Sequence, residues 1–538
     1  MSQDVVGRAV EDRADSPQVF AMLQRWYHDC MENHPDCRPN MSDPETRGDM
    51  ENVRLPAKLI HIKPDGTLNL YITNHKPGRY VALSYCWGTT KSFKTTRENL
   101  EARKRGFSKV DLPQTLQDAI TLTWRLGFDL IWIDALCIVQ DDGNDWQHQC
   151  ADIGNIYNNA SLTIAASAAK DKADGFLVAR QKSRSAALVL PMQCSNSRRH
   201  GAVFVYLRPT TRGEVHEVID RSVLNTRCWC LQERILSRRI VHFSENQIFW
   251  ECQKCTFAED GSVFDRTNML KRELFFGADR NSRAPNIRSL FRGWQKVVRD
   301  YSSRKLFDGG DILPALSGMA SQVYQLTGSD YLVGVWRLDL PYGLLWYVQE
   351  GSRAKSFSGY RGPSWSWVSI DGPVNDSLRA DALVMKSRAN EVKVIDAVAV
   401  VPGADPFGKV NASHVKLRGL MKHARRATNG SFDPSRKWIY VSESFPILDQ
   451  DGWSIGETNF DDRLDNAPTT FDGLLIAEGL SRWELQEPLG LQPEALWRST
   501  FLALEPASVA STYRRIVAGV IRGRSFSKDS VTTELTTI

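Results

Sequence analysis

Polar and aromatic side chains that could do chemistry follow a short apolar run near residue 80. Residues 80–88 read Tyr-Val-Ala-Leu-Ser-Tyr-Cys-Trp-Gly. The apolar part predicts a buried strand, which delivers Ser84, Tyr85 and Trp87 before Gly88 ends the segment. Open α/β sheets present their sites where such strands end. We therefore expect these three side chains to lie at the edge of a sheet.

Asp134 and Cys137 follow a second apolar run and are further candidates. A carboxylate at the end of a buried strand is costly unless it is paired. Asp134 could act as a general acid or base or bind a ribose hydroxyl. It could equally cap the next turn or pair with Arg227 or Arg234. Cys137 would need a nearby base or helix amino terminus to become a thiolate nucleophile, so a buried structural cysteine is favoured. Ser84 lacks the Gly-x-Ser-x-Gly elbow of a nucleophilic serine.

Residues 227–234 read Arg-Cys-Trp-Cys-Leu-Gln-Glu-Arg and place charges around a tryptophan and a leucine. A charged run is typical of a solvated face, but the interleaved apolar residues predict partial burial. Two interpretations stay open. The charged residues share a polar site with the two earlier segments, or they form a structural ion-pair network.

These three segments supply all the candidate site residues. The candidate catalytic residues are Ser84, Asp134, Cys137, Arg227 and Glu233. The candidate ligand-binding residues are Tyr85, Trp87, Gln140, Trp146, Gln149, Gln232 and Arg234.

The cysteines raise the question of a metal. Cys30, His34 and Cys37 have a spacing that could bind zinc, and Cys252 and Cys255 add a second pair. A proline follows His34 and interrupts a regular helix between the first ligands, and the second pair is far away in sequence. Free thiols are therefore favoured and no metal ligand is predicted. No Walker loop or dinucleotide fingerprint is present, so the cofactor stays unknown.

Composition restricts the class of protein. The chain has 538 residues and a net charge of +5 from 68 basic and 63 acidic residues, so nucleic acid is not expected as a partner. No run approaches the roughly 18 apolar residues of a membrane span, and no secretory leader is seen. We expect a soluble cytoplasmic protein with free thiols and an unknown oligomeric state. Sixteen tryptophans predict a heavily aromatic interior.

The order of predicted elements indicates an α/β fold. Apolar runs at 80–86, 130–134 and 162–166 alternate with helical segments at 95–105, 111–127 and 145–157. This alternation predicts a parallel sheet with right-handed crossovers. We divide the chain into a helical segment and linker at 1–52, an α/β domain at 53–260, a mainly helical extension at 261–372 and a β-rich region at 373–538.

Together, the three segments resemble the fungal HET (heterokaryon incompatibility) domain. The family's Tyr-x-Ala-Leu-Ser-Tyr-x-Trp-Gly pattern stands at 80–88. Ile-Trp-Ile-Asp-Ala-Leu-Cys-Ile-Val-Gln-Asp-Asp follows at 131–142, and the third block begins at Arg227. With smaller pieces further on, the resemblance covers roughly residues 55–372. It implies a parallel-sheet α/β domain, distantly similar to TIR domains, with helical insertions and here a β-rich C-terminal region.

The resemblance also implies a role in fungal non-self recognition and programmed cell death. Some TIR domains cleave nicotinamide dinucleotides with a glutamate on a helix. Relatives commonly carry a glutamate where this chain has Gln149, and a neutral amide cannot stabilise a developing oxocarbenium charge. Dinucleotide hydrolysis is therefore the less favoured activity.

Two alternatives to a signalling role remain. One is a small-molecule enzyme on the same fold, such as a tailoring enzyme of secondary metabolism, which the tryptophan-rich interior would suit. The other is an interaction scaffold without chemistry. The expected partners are a small-molecule ligand or another protein.

Overall fold

The structure, a computed structural model, describes most of the chain. The described residues are 10–38, 53–89, 93–180, 188–193, 200–205, 218–264, 270–271, 274, 286–349, 352, 354–378, 392–426, 445–448, 454–458, 470–480, 497–522 and 531–538. Residues 39–52, which hold most of the predicted linker, lie outside these ranges. The chain divides into two compact units, Met1–Arg280 and Asn281–Ile538.

The first unit is a mixture of helices and strands. Its helices are α1 (Pro17–Asn33), α2 (Leu100–Arg105), α3 (Gln114–Arg125), α4 (Asp134–Cys137), α5 (Gly143–Asn159) and α6 (Cys228–Leu236). Its strands are β1 (Val53–Arg54), β2 (Lys58–Ile62), β3 (Leu68–Ile72), β4 (Pro77–Gly78), β5 (Val81–Ser84), β6 (Leu130–Trp132), β7 (Leu162–Ala165), β8 (Leu188–Gln193), β9 (His200–Val205), β10 (Arg239–Phe243), β11 (Ile248–Cys252), β12 (Thr256–Ala258) and β13 (Val263–Phe264).

The main sheet of this unit has nine strands in the order β13-β12-β11-β10-β7-β5-β6-β2-β3. The four central strands β10, β7, β5 and β6 run parallel. The flanking pairs are antiparallel. The α/β class is confirmed. The predicted parallel sheet is seen only in the four central strands, and the sheet as a whole is mixed. The pairs β2–β3, β10–β11, β11–β12 and β12–β13 are joined by short turns, and a short turn permits only antiparallel pairing. The antiparallel β2–β6 pair joins strands that lie far apart in sequence. The distant similarity to TIR domains stays a prediction.

The central strands form the core of the first unit. Every residue of β5 and β7 is buried, as expected for strands covered on both faces. The helical spacing of Leu116, Ala119, Ile120 and Thr123 in the sequence predicts that they form the inner face of a helix, and all four are buried on α3. The amino-terminal helix begins after Ser16, whose hydroxyl accepts a hydrogen bond from the Val19 amide.

The second unit begins with two helices and continues mainly as strands. Its helices are α7 (Ile287–Ser302) and α8 (Ser317–Thr327). Its strands are β14 (Tyr331–Leu332), β15 (Val335–Trp336), β16 (Tyr347–Val348), β17 (Lys355–Ser356), β18 (Ile370–Asp371), β19 (Val374–Asn375), β20 (Lys393–Val400), β21 (Ala412–Arg426), β22 (Phe445–Leu448), β23 (Ser454–Thr458), β24 (Thr470–Leu480), β25 (Trp497–Pro506), β26 (Thr512–Arg522) and β27 (Val531–Thr537).

The predicted β-rich C-terminal region is confirmed by an eight-stranded assembly, in which the strand pairs are antiparallel except for the parallel β26–β27 pair. Its strand pairing follows the path β21-β22-β23-β26-β25-β24, and β24 pairs again with β21. The hydrogen-bonded path therefore closes on itself, which leaves those six strands with neighbours on both sides.

Tryptophans fill the interior of both units, as the composition predicts. In the first unit Trp132 and Trp250 are fully buried. In the second unit the fully buried tryptophans are Trp294, Trp336, Trp365 and Trp367. The indoles of Trp294 and Trp367 both donate to the Gly334 carbonyl, at 2.9 Å and 3.1 Å. None of the described helices is long and apolar enough to cross a membrane.

Candidate functional site

A buried hydrogen bond joins the first and third sequence segments. Ser84 is the last residue of β5, and Glu233 lies on α6, 149 residues later. The Ser84 hydroxyl donates to a carboxylate oxygen of Glu233, and both residues are buried. The fold therefore brings the end of a central parallel strand against the polar face of α6.

Arg227 is the N-cap residue of this helix and makes a second contact to the segment around the end of β5. Its guanidinium donates to the Tyr85 carbonyl at 2.6 Å. Arg227, Cys230 and Glu233 recur at steps of three residues, a spacing that keeps side chains near one face of a helix. The helix thus contacts the Ser84 side chain through Glu233, and Arg227 contacts the backbone after β5 at the Tyr85 carbonyl.

Asp134 joins this edge from the neighbouring strand. It opens α4 directly after β6, and its carboxylate accepts from the Trp87 indole at 2.7 Å and from the Ala135 amide at 2.6 Å. Tyr85 also helps to lower the Asp134 pKa, against the larger effect of burial. The predicted meeting of strand ends is therefore seen. We refer to Ser84, Trp87, Asp134, Arg227 and Glu233 as the edge network.

A positive φ lets the chain turn sharply after the edge network. Gly88 has a φ of 61°, and a Cβ there would lie 1.9 Å from a carboxylate oxygen of Asp171. That same oxygen accepts from the Thr89 amide at 2.7 Å. Only glycine fits the turn without displacing Asp171.

The two carboxyls of the edge network are both easier to protonate than usual. Burial raises the pKa of Glu233 to about 7, against the opposing effects of the Ser84 hydrogen bond and the Arg227 charge. Burial also raises the pKa of Asp134, against its bonds from Trp87 and Ala135. Burial disfavours the charged form of Arg227, yet the surrounding thiols and carboxylates raise its pKa overall. The Arg227 cation therefore interacts with two carboxyls whose pKa values are raised.

Arg234 follows Glu233 in sequence but takes part in a different cluster. Its Nε donates to Glu251 at 2.9 Å, and a terminal nitrogen pairs with Asp220. Lys271 lies 3.0 Å from the other Glu251 oxygen. Of the alternatives for Asp134, pairing with Arg234 is not seen. The structure places Arg227 and Glu233 in the edge network and Arg234 in a buried ion-pair network. Gln232, which precedes Glu233 in the sequence, is fully buried.

The remaining candidates lie along the second segment. Burial raises the pKa of Cys137 to about 12, so its thiol is protonated and poorly nucleophilic near neutral pH. The Gln140 amide donates to the Asp134 and Ile138 carbonyls at 3.1 Å and 3.3 Å. Trp146 is half-buried on α5.

Gln149 is also on α5 and is buried. Its side-chain oxygen has no hydrogen-bond partner among the described residues. An ionised glutamate in this surrounding would need a donor, so the neutral amide suits it better.

Three further residues support the edge network and were not singled out from the sequence. The Tyr157 hydroxyl donates to the Leu83 carbonyl at 2.9 Å. The Lys172 ammonium donates to the Trp87 carbonyl at 2.6 Å. Cys230 is buried, and burial raises its pKa while Ser84 acts in the opposite direction. The helical spacing from Arg227 is a signal that could have indicated Cys230, whereas Lys172 carries no periodic signal.

The fold and the site define an α/β protein whose parallel strand ends carry a hydrogen-bonded polar network. The family model described as heterokaryon incompatibility protein (HET) matches residues 80–233. The predicted resemblance to the HET domain is thereby confirmed for this region, which begins one residue before β5 and ends at Glu233. No curated protein and no solved structure matches the chain.

Proposed function

We propose that the chain is a HET-domain protein of fungal non-self recognition that signals programmed cell death. We further propose that the edge network holds the domain in its signalling conformation. The single observation behind this proposal is the buried hydrogen bond from Ser84 to Glu233. It joins the first and last blocks of the region that matches the family.

The polar groups of the edge network largely satisfy one another. The Ser84 hydroxyl is engaged by Glu233, the Trp87 indole by Asp134, and the Arg227 guanidinium reaches the Tyr85 carbonyl. Fully paired buried polar networks rigidify the structure around them. The mutual pairing of these groups supports signalling through a defined surface that contacts a protein partner. It argues against catalysis, which would need polar groups available to a substrate.

A second candidate is a small-molecule enzyme at the same edge, such as a tailoring enzyme of secondary metabolism. The pKa of Glu233, raised to about 7, favours it because a general acid or base works best near the operating pH. Asp134 would be its partner and Arg227 would offset developing negative charge. Nicotinamide-dinucleotide hydrolysis is less favoured because Gln149 supplies no carboxylate on α5.

The signalling proposal is tested by expressing the full chain in a fungal host and counting viable cells. We expect the unchanged protein to reduce viability, and Glu233→Gln and Asp134→Asn to abolish that effect. Glu245→Gln, at an exposed glutamate, is the matched control and should still kill. Protein level and thermal midpoint are measured for each variant. Full killing by both edge-network variants would contradict the proposal.

The enzyme alternative is tested with the purified chain. It is incubated with a nicotinamide dinucleotide and, separately, with a fungal metabolite extract, and loss of starting compound is followed by chromatography. Turnover that disappears in Asp134→Ala would favour catalysis over signalling by contact. Unchanged dinucleotide and extract, together with killing in cells, would favour the signalling proposal.

A further inference from the structure

Four buried side chains with metal-binding atoms meet where α1 ends. Cys30, His34, Cys37 and Cys252 each place a donor atom within 4.8 Å of the others. The three cysteines have no exposed surface, and His34 is 8% exposed. All three thiols are free of disulfide bonds. We refer to these four residues as the cysteine–histidine cluster.

The local backbone explains how the first three residues converge. Cys30 lies in the last turn of α1, which ends at Asn33, and His34 follows as its C-cap. Pro35 opens the 3-10 turn Pro35–Cys37, a position that suits proline's fixed φ and missing N–H. The Cys37 amide donates to the His34 carbonyl at 3.0 Å. The proline that argues against a zinc site in the sequence therefore starts the turn that assembles it.

The fourth residue comes from a turn between two strands. Cys252 ends β11, and Cys255 directly precedes β12. The Lys254 amide points at the Cys252 sulfur, 3.4 Å away, and the Cys252 amide donates to the Cys255 carbonyl at 3.0 Å. A backbone N–H aimed at sulfur stabilises a thiolate, and thiolate is the form that binds metal. The Cys-x-x-Cys spacing is also typical of zinc sites.

The separation of Cys252 from His34 fits one edge of a tetrahedral site. With zinc–sulfur bonds of about 2.3 Å and zinc–nitrogen bonds of about 2.0 Å, tetrahedral edges are about 3.8 Å between sulfurs and about 3.5 Å from sulfur to nitrogen. The Cys252 sulfur lies 3.4 Å from Nδ1 of His34. It lies 3.8 Å from the Cys255 sulfur, which makes Cys255 a fifth donor near the ion.

A buried arginine supplies independent support from charge. Arg239 is 3% exposed. Its Nε donates to the Cys30 sulfur at 3.3 Å, and its terminal nitrogens donate to the Cys37 carbonyl at 2.9 Å and the Ser161 carbonyl at 3.4 Å. A buried guanidinium is costly without a nearby negative charge. Three thiolates on one Zn²⁺ carry a net charge of −1, which Arg239 would offset.

We propose that Cys30, His34, Cys37 and Cys252 bind a structural zinc ion. Four protein ligands leave no open position for a substrate, as is typical of structural zinc. The ion would fasten the end of α1 to the turn after β11, and His34 and Cys252 are 218 residues apart in sequence. It therefore cross-links the segment before the matched HET region to the segment after it, whether or not the signalling proposal holds.

The first test measures the metal content of the full chain, purified without added metal or chelator. We expect about one zinc ion per chain by inductively coupled plasma mass spectrometry. Cys252→Ser and Cys30→Ser should lose it. Cys150→Ser, at a buried cysteine of α5 outside the cluster, is the matched control and should keep it. An unchanged protein without zinc, with its cluster thiols free or joined as disulfides, would overturn the proposal.

The spectra of the second test are recorded on the unchanged chain, so they do not depend on the folding of a variant. The zinc of the unchanged chain is exchanged for Co²⁺, and the visible and X-ray absorption spectra are recorded. We expect a tetrahedral spectrum with three sulfur ligands and one nitrogen ligand. Six-coordinate cobalt, or oxygen ligands in place of sulfur, would overturn the site. Loss of metal in Cys255→Ser together with its retention in His34→Ala would overturn this ligand set.

Discussion

Glu233 and Glu251 are both buried glutamates of the first unit, yet their surroundings shift their pKa values in opposite directions. Burial raises the pKa of Glu233 to about 7. Burial alone would raise the pKa of Glu251 too, but Arg234 and Lys271 hold it well below its usual value. The comparison teaches that burial does not decide the charge of a carboxyl. The number of cations in direct contact decides it.

The two surroundings are reached from adjacent residues of helix α6, Glu233 and Arg234. Successive residues of an α-helix point about 100° apart, so Glu233 and Arg234 leave the helix toward different surroundings. Glu233 meets the Ser84 hydroxyl, while Arg234 meets Glu251. The cation that acts on Glu233 is Arg227, whose guanidinium donates a hydrogen bond to the Tyr85 carbonyl. The same helix therefore carries Glu233, whose pKa is raised, and Arg234, which pairs with the ionised Glu251.

The largest expected effect comes from breaking the buried ion pairs of Glu251 with Arg234 and Lys271. Glu251→Gln should lower the free energy of unfolding by about 3 to 5 kcal/mol near neutral pH, because Lys271 would keep a buried charge without a carboxylate and Arg234 would retain only its pairing with Asp220. Urea unfolding of the full chain measures this, with the exposed Glu245→Gln as control. The loss should shrink as pH falls, because Glu251's contribution is present above its unfolded pKa and is lost in acid. A cost below about 1 kcal/mol would contradict the account.

Glu233→Gln should have a pH-dependent effect of the opposite sign. The carboxyl has a pKa of about 7 when folded against 4.5 for the free group. Between those values the folded chain binds more protons than the unfolded chain, so Glu233's contribution falls as pH rises. The amide does not titrate. The variant should therefore gain about 3 kcal/mol relative to the unchanged protein from below about pH 4.5 to above about pH 7.

Urea unfolding at a series of pH values checks this second prediction. Glu245→Gln again serves as the control and should track the unchanged protein at every pH. A difference between Glu233→Gln and the unchanged protein that stays constant with pH would show that Glu233 titrates normally.

Trp87→Phe should have a smaller effect on the other carboxyl of the edge network. The change removes the indole N–H that bonds to Asp134 at 2.7 Å. We expect a cost of about 1 to 2 kcal/mol, because a partly buried carboxylate loses a donor. The pKa of Asp134 should rise further. Trp124→Phe, at a tryptophan that is 45% exposed, is the control. Equal effects from the two variants would show that the indole of Trp87 matters only for its bulk.

Ser84→Ala should have the smallest effect and should sharpen the assignment of Glu233. The hydroxyl donates to the carboxylate and thereby lowers the Glu233 pKa. Its removal should cost about 1 kcal/mol and move the pH-dependent loss of stability to higher pH. In a Glu233→Gln background the same substitution should produce no shift with pH. A shift that persists in that background would assign the titration to another group.

The sequence patterns identify the elements of this region better than they identify partners. The apolar runs at β5 and β6 and the helical spacing of Leu116, Ala119 and Ile120 are local signals, and the structure confirms them. The antiparallel flanks were missed because strand direction depends on the length of connections, which burial patterns do not encode.

Partner choice at α6 could not be predicted for a related reason. Arg227 and Arg234 are equally charged and equally near Asp134 in sequence terms, and only the orientation of the helix separates them. The sequence names the residues of the cysteine–histidine cluster but does not show that they meet, because Cys252 approaches Cys30 only after β11 has taken its place in the sheet. Contacts between residues some 200 positions apart depend on topology, which a single sequence specifies only weakly.

The most direct test of the central comparison is the titration of the Glu233 carboxyl itself. Difference infrared spectra of the unchanged protein minus Glu233→Gln are recorded from about pH 4 to about pH 9, following the protonated carboxyl stretch. We predict a band that disappears with a midpoint of about 7. A midpoint near the ordinary value of 4.5, or no band that depends on Glu233, would contradict the account.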